Sequence, residues 1–373
     1  MMMPLIDETN YAGEMRDVVL PALARCCDEG WMEPAVAADL APASSPGKLH
    51  YLRYDVARFN AWQANGQNDT QSKAQKGGVR LGNSSAAPQR ADIAQQRRGA
   101  VVFSHGFTEF AVRYSEMIWY FLQQGYSVCV LEHRGHGYSP RDVDDPALVW
   151  IDDYRRYVAD MTKFAQTVGR QCAEGRSLSF FSHSMGGGIG AVAMERTPGL
   201  FDRAVLSSPM IAPQTGMAAG LTWPLMTLAC GMGLSKHVAF GHGGFPAEFD
   251  MGEETDACEA RVRWCYELRA ADGHYHSWSP TFGWVREALK LSREALRPEA
   301  CARVTTPTLL FQAGEDIWVV NAAQDRFVRQ VANGGGNIRM ARFDDSVHSI
   351  FSMPNRVLGP YLKALFGFLN NSQ

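Results

Sequence analysis

The stretch Ser177-Leu-Ser-Phe-Phe-Ser-His-Ser-Met-Gly-Gly187 decides how the rest of this sequence is read. Ser177 to Ser182 has the pattern of a short strand, and Met185 to Arg196 that of a helix rich in small residues. Only His183 and Ser184 lie between them, so the chain must turn sharply at Ser184. A serine on such a turn has its hydroxyl thrust clear of the backbone, and the residues two before and two after it must be small. Ser182 and Gly186 meet that demand, with serine where the usual pattern has glycine. The helix N-terminus and the Met185 N–H would face an oxyanion forming beside the Ser184 hydroxyl. The segment predicts a nucleophile.

Working outward, strands and helices alternate. Lys48 to Ala57 reads as a strand, and Ala100 to Ser104 as a short apolar strand of the buried parallel type. Arg113 to Gln124 follows as a helix, Tyr126 to Leu131 as a strand and Ile151 to Val168 as an amphipathic helix. After the central segment come a strand at Ala204–Ser208, then strand, helix, strand and helix at 307–313, 321–331, 337–343 and 354–369. This alternation implies a mostly parallel sheet with helices on both faces. It divides the chain into a first core part (1–208), an inserted cap (209–303) and a second core part (304–373). Within the first part, 65–98 is rich in Gly, Gln, Ser and Asn with almost no apolar anchors, and reads as a flexible surface insert.

A serine nucleophile needs a base, and the base needs an orienting acid. The acid is expected just past a late strand and the histidine past the last one, in chain order Ser, Asp, His. Asp316 follows the 307–313 strand and His348 follows the 337–343 strand. His348 is the only histidine after position 276, whereas Glu315, Asp325, Asp344 and Asp345 compete with Asp316. His105-Gly106-Phe107, directly after the Ala100–Ser104 strand, offers the Phe107 N–H as a second oxyanion donor.

On these residues the chain resembles the α/β-hydrolases of the monoacylglycerol-lipase-like group, and within it the bacterial lysophospholipases. The matching strings are His105-Gly-Phe, Glu132-His-Arg-Gly-His-Gly-Tyr-Ser139, His183-Ser-Met-Gly-Gly187, Ser208-Pro-Met210, Pro280-Thr-Phe-Gly-Trp-Val-Arg-Glu287 and Thr306-Pro-Thr-Leu-Leu310. The resemblance implies an α/β-hydrolase fold with a cap, and a serine ester hydrolase that uses no cofactor and no metal. The expected roles are Ser184 as nucleophile, His348 as base, Asp316 as its orienting acid, and Phe107 and Met185 as oxyanion donors. The expected substrate is a lysophospholipid or similar single-chain lipid ester. Monoacylglycerol lipase, general carboxylesterase and proline iminopeptidase-like activities are the alternatives on this fold, and a catalytically silent binding module is the non-enzyme alternative.

Composition narrows the classes. The 373 residues carry 36 Lys and Arg against 39 Asp and Glu, with no basic stripe, which argues against a nucleic-acid binder. Eight scattered cysteines without a C-x-x-C pair, and an N-terminus without the form of a secretory signal, point to the cytoplasm. Gly188-Ile-Gly190-Ala-Val-Ala193 mimics a dinucleotide fingerprint, but His-Ser-Met separates it from the strand, so the small residues are read as helix–sheet packing. The pairs His133/His136 and His274/His276 lack the partners of a zinc site.

Ala204 to Ser235 carries no charge, yet Pro209, Pro213 and Pro224 and several glycines interrupt it, so it reads as a lid rather than a membrane span. Met217, Trp223 and Met226, with Leu221, Leu225, Leu228 and Met232, are its candidate acyl-chain contacts, and the lid is a candidate site of peripheral contact with the inner membrane. The six acids Glu248, Asp250, Glu253, Glu254, Asp256 and Glu259, with Trp264, Tyr266, Tyr275, Trp278 and Trp284 beyond them, raise the expectation of a surface for a cationic head group.

Overall fold

The computed structural model describes residues 4–36, 40–41, 47–64, 97–217, 219–239, 243–252 and 255–371. Of the insert expected at 65–98, all but Arg97 and Arg98 lies outside the described residues.

Ten strands occur among the described residues: β1 (Cys27–Met32), β2 (Leu49–Tyr54), β3 (Gly99–Ser104), β4 (Tyr126–Leu131), β5 (Leu148–Val149), β6 (Ser177–His183), β7 (Arg203–Ser207), β8 (Ser279–Pro280), β9 (Thr308–Ala313) and β10 (Ile338–Phe343). Eight of them form one sheet in the order β1-β2-β4-β3-β6-β7-β9-β10. From β4 to β10 every neighbour is parallel, whereas β2 runs antiparallel to both β1 and β4. β3, β4 and β9 are buried along their whole length, which is why they read as continuous runs rather than alternating ones. β10, at the edge, has no fully buried residue.

Two apolar layers cover the sheet. On one face lie helix Arg155–Phe164, the helix Met185–Arg196 that follows β6, and helix Phe282–Ala295. The other face carries the N-terminal helical segment 11–26, helix Ser115–Gln123 and helix Asn355–Asn370. The N-terminal segment and β1 have no counterpart in the sequence reading. β1 is a polar edge strand, Cys-Asp-Glu-Gly-Trp-Met, whose single buried residue is Met32, so no periodicity marks it.

The order of strands creates the site. From β3 the chain moves outward to β4, then returns to the opposite side of β3 to form β6 and continues the other way. The strand order therefore reverses between β3 and β6, and ligands of open α/β sheets sit outside the carboxyl ends of strands at such a reversal. Register keeps those ends level: Ser104 pairs with Ser182, Ser182 with Leu206, Ser207 with Phe311 and Ala313 with Phe343. The loops bearing Phe107, Ser184, Asp316 and His348 all leave from this one edge.

Between β7 and β9 the chain forms helices Ala219–Gly231, Glu259–Ala271 and Phe282–Ala295. Phe282–Ala295 packs on both Ala219–Gly231 and Met185–Arg196. Glu259–Ala271 is tied down by Arg261, which is 5% exposed and bonds Glu116, Glu8, Asn355 Oδ1 and the Met353 carbonyl. No helix among the described residues is long and apolar enough to cross a membrane.

Glu195, near the end of Met185–Arg196, is 1% exposed, and burial with Glu294 nearby pushes its carboxyl up to about 8. An unfolded glutamate titrates near 4.3, so this group favours folding at low pH and loses that contribution as pH rises through about 8. Between pH 7 and 8.5 the wild type is expected to lose about 1 kcal/mol more than Glu195→Gln, measured by urea unfolding. Parallel pH profiles for the two proteins would contradict it.

Candidate active site

Ser184 sits between the end of β6 and the first helical residue, Met185, with φ 50° and ψ −119°. A non-glycine residue at positive φ costs on the order of 1–3 kcal/mol and needs surrounding structure to hold it. Here the Ser184 N–H donates to the Ser207 carbonyl at 3.1 Å, and the Ser184 carbonyl accepts from Gly187 and Met210 at 2.9 and 2.7 Å. The backbone on both sides of the hydroxyl is thereby fixed to β7 and its loop. Ser182 does not disturb the turn: it is fully buried and its hydroxyl donates to the Val205 carbonyl on β7 at 3.4 Å.

Gly186 explains the demand for a small residue. A Cβ there would lie 2.2 Å from the Ser104 carbonyl oxygen and 2.6 Å from that of His105. The first turn of the helix thus rests on the backbone of the loop after β3, which brings the Met185 and Phe107 peptides into one neighbourhood. As the first residue of its helix, Met185 has no intrahelical acceptor for its N–H. Gly190 has the packing role expected of the dinucleotide-like string, since a Cβ there would meet the Phe180 ring at 2.1 Å.

The late acid and histidine meet. Asp316 Oδ2 lies 2.7 Å from His348 Nδ1, and because a carboxylate only accepts, the imidazole carries its proton on Nδ1. Asp316 Oδ1 accepts the Trp318 and Val319 N–H groups at 2.9 and 3.1 Å, which anchors the carboxylate at its own loop. The competing acids lie elsewhere: Glu315 and Asp345 are exposed, Asp344 pairs with Arg342, and Asp325 accepts from Gln312. His348 reaches the turn itself, its ring centroid lying 4.7 Å from that of His183, the residue before Ser184. With Nδ1 protonated, its Nε2 is available as a base. Ser184 and His348 are 7% and 8% exposed, just open in a buried setting.

Around this centre the structure adds residues that sequence reasoning missed. Glu109, Arg113 and His183 form a buried cluster beneath the turn, with Glu109 Oε1 3.1 Å from both His183 Nδ1 and Arg113 Nε. Burial alone would raise the Glu109 carboxyl, but the adjoining His183 and Arg113 hold it well below the ordinary range. Burial lowers His183, while Glu109 opposes that shift. A charged pair four apart directly after His105-Gly-Phe was the available signal. His133 and His136 lie in the loop after β4, where His133 Nε2 meets Ser104 Oγ at 2.9 Å and burial pushes both rings well below the ordinary histidine range.

The lid candidates diverge. Met217 is 39% exposed, Trp223 carries the Arg293 guanidinium 3.7 Å above its ring, and Met226 packs in a small cluster with Ala229, Ala239 and Phe282. The Phe107 ring packs at a tilt against Trp284 of helix Phe282–Ala295, centroids 4.0 Å apart, which couples the loop after β3 to the helices above. Of the five rings expected to take a cationic head group, Trp264 and Trp278 lie near arginines of the chain itself, Arg16 standing 5.6 Å from the Trp264 ring. Arg269 lies 5.2 to 5.9 Å from the rings of Trp278, Phe110 and Phe245.

The model of the Hydrolase_4 family, described as serine aminopeptidase, S33, matches residues 95–355. The chain belongs to this family. It is 29% identical to lysophospholipase L2 of Escherichia coli K12 over 284 residues, covering 74% of this chain and 82% of the relative. It is 26% identical to a monoacylglycerol lipase of Mycolicibacterium smegmatis over 267 residues, covering 70% and 85%. Among solved structures, a carboxyl esterase from Bacillus coagulans superposes with a TM-score of 0.65 at 14% identity, covering 92% of this chain and 98% of that one. The fold is that of an α/β-hydrolase.

Gly186→Ala is expected to lower kcat about 100-fold, as a roughly 1 Å displacement of reacting groups does, while the protein still folds. Near-normal turnover per folded molecule would show that the close approach of the helix to Ser104 and His105 is dispensable.

Proposed function

We propose that this protein is a serine ester hydrolase of single-chain lipids, with a lysophospholipid as the preferred substrate class. The observation that carries the reading is the Asp316–His348 hydrogen bond beside a serine held at positive φ on a strand-to-helix turn. Ser184 attacks the acyl carbonyl while His348 Nε2 takes its proton and returns it to the leaving alcohol. Asp316 keeps His348 in the productive tautomer and stabilises the imidazolium. The N–H groups of Phe107 and Met185 receive the charge that develops on the carbonyl oxygen. Water enters by the same base and releases the fatty acid. These steps need neither cofactor nor metal.

The substrate class rests on the named relatives and on the apolar chemistry of the segment after β7. In the proposed division, 209–303 acts as a cap over the 1–208 and 304–373 core. Leu221, Leu228 and Met232 are 66%, 59% and 62% exposed, and Ile317 and Trp318 beside Asp316 are 45% and 49% exposed. The Gln214 N–H donates to the Trp318 carbonyl at 2.8 Å, which ties the start of the segment after β7 to the loop bearing Asp316. We propose that this surface meets the acyl chain and the lipid aggregate that supplies it, with Met217 and Trp223 at its inner margin and Met226 supporting from behind. The eight free cysteines support a reducing, cytoplasmic setting, and the exposed apolar side chains are what would make peripheral contact at the inner membrane.

Monoacylglycerol hydrolysis is the second reading, supported by the Mycolicibacterium relative. A fluorophosphonate probe is expected to label the wild type and not Ser184→Ala. Asp316→Asn is expected to lose activity on the order of 10⁴-fold. In a panel of lysophosphatidylcholine, monoacylglycerol, short p-nitrophenyl esters and proline amides, lysophosphatidylcholine should give the highest kcat/KM. Preference for monoacylglycerol would select the second reading, and labelling that survives Ser184→Ala would sink both.

A further inference from the structure

One buried carboxylate joins two of the loops that meet at the site, and its arginine partner reaches a third. Glu109 is 6% exposed and lies between the loop after β3 and the turn at Ser184. Its Oε2 accepts the Gly106 N–H at 2.6 Å and also the Tyr114 hydroxyl. Its Oε1 accepts from His183 Nδ1 at 3.1 Å and pairs with Arg113 Nε at the same distance. Arg113 extends the chain of contacts, its Nη2 donating to Ser349 Oγ at 3.2 Å beside His348. The fit leaves no slack at Gly106. A Cβ there would stand 2.7 Å from Glu109 Oε2 and 3.0 Å from His183 Nδ1.

We infer that Glu109 is a positioning residue that sets the spacing of the two oxyanion donors. The inference rests on the reaction proposed above. Gly106 is the peptide immediately before the Phe107 donor, and His183 is two residues before the Met185 donor. A single carboxylate bonded to both Gly106 and His183 fixes the loop after β3 and the turn after β6 relative to each other. Oxyanion donors act at the position the oxygen occupies in the transition state, so a loosened pair costs catalysis without weakening ground-state binding of the ester. Glu109 itself touches no substrate. Its charge is paired with Arg113, and Gly106, His183 and Tyr114 each donate a hydrogen bond to it, so the group serves geometry within the loops rather than contact with substrate.

The test compares the wild type with Glu109→Gln and Tyr114→Phe, each titrated with a fluorophosphonate so that turnover is expressed per reactive Ser184. Glu109→Gln should lower kcat about 100-fold, the size seen when one oxyanion donor is lost, with KM on lysophosphatidylcholine changed less than threefold. The Ki of an alkyl trifluoromethyl ketone, which forms a tetrahedral oxyanion on serine, should rise in step with the loss of kcat/KM. Tyr114→Phe, which removes one hydroxyl from the carboxylate and keeps the rest, should show the same pattern at about a tenth of the size. A purely structural role would lower the titrated fraction and leave kcat per site and Ki unchanged, and that result overturns the proposal. If Glu109→Gln does not fold, Tyr114→Phe alone decides by the same criterion. Activity that survives in Ser184→Ala would instead overturn the hydrolase reading itself.

Discussion

Holding Ser184 at φ 50° is a local cost of about 1–3 kcal/mol, and much of the surrounding structure offsets it. Four backbone hydrogen bonds clamp the residue to Ser207, Gly187, Gly188 and Met210. The helix that begins at Met185 presses against the carbonyls of Ser104 and His105, a contact open only to glycine at 186. The strain and the close contact are one arrangement, because a relaxed turn would move the helix N-terminus away from the loop after β3. Ser184 and the Phe107 and Met185 amides, the proposed nucleophile and oxyanion donors, are therefore positioned chiefly by backbone packing.

A second principle organises the shell around this turn. Charges are turned inward and paired: Glu109 with Arg113 four residues on, and, between elements distant in sequence, Glu116 with Arg261 and Arg134 with Asp160. Removing one partner of a buried pair leaves an uncompensated charge, so such pairs restrict the packing arrangements available. Arg261 links the helix Glu259–Ala271 to the N-terminal segment and to the loop past His348. Through Phe107 on Trp284, the helices between β7 and β9 also reach the loop after β3. Movement of those helices has a direct mechanical route to the site.

The turn at Ser184 and the strands β3, β4, β6 and β9 were legible because their signals are local. A buried parallel strand is a short unbroken apolar run, and the turn is a spacing of small residues around a serine. Ser, Asp and His in that order could be placed for the same reason, since each directly follows a strand. Asp316 could not be separated from Glu315, Asp344 or Asp345 in the sequence, because which carboxylate turns inward depends on the Trp318 and Val319 amides. Glu109 was harder to place: its pairing with Arg113 is local, but its histidine lies 74 positions away. Arg269 was likewise hidden inside a segment read as an acidic and aromatic surface, and β1 is too polar and too near the edge to carry a period.

The most direct measurement is a crystal structure of the protein phosphonylated by a long-chain alkyl fluorophosphonate. Phosphorus is expected on Ser184 Oγ, with the phosphonyl oxygen about 3 Å from both the Phe107 and Met185 nitrogens and His348 Nε2 in reach of the adduct. Phosphorus bound elsewhere, or an imidazole that stays out of reach while still held by Asp316, would contradict convergence of the three side chains at one edge of the sheet.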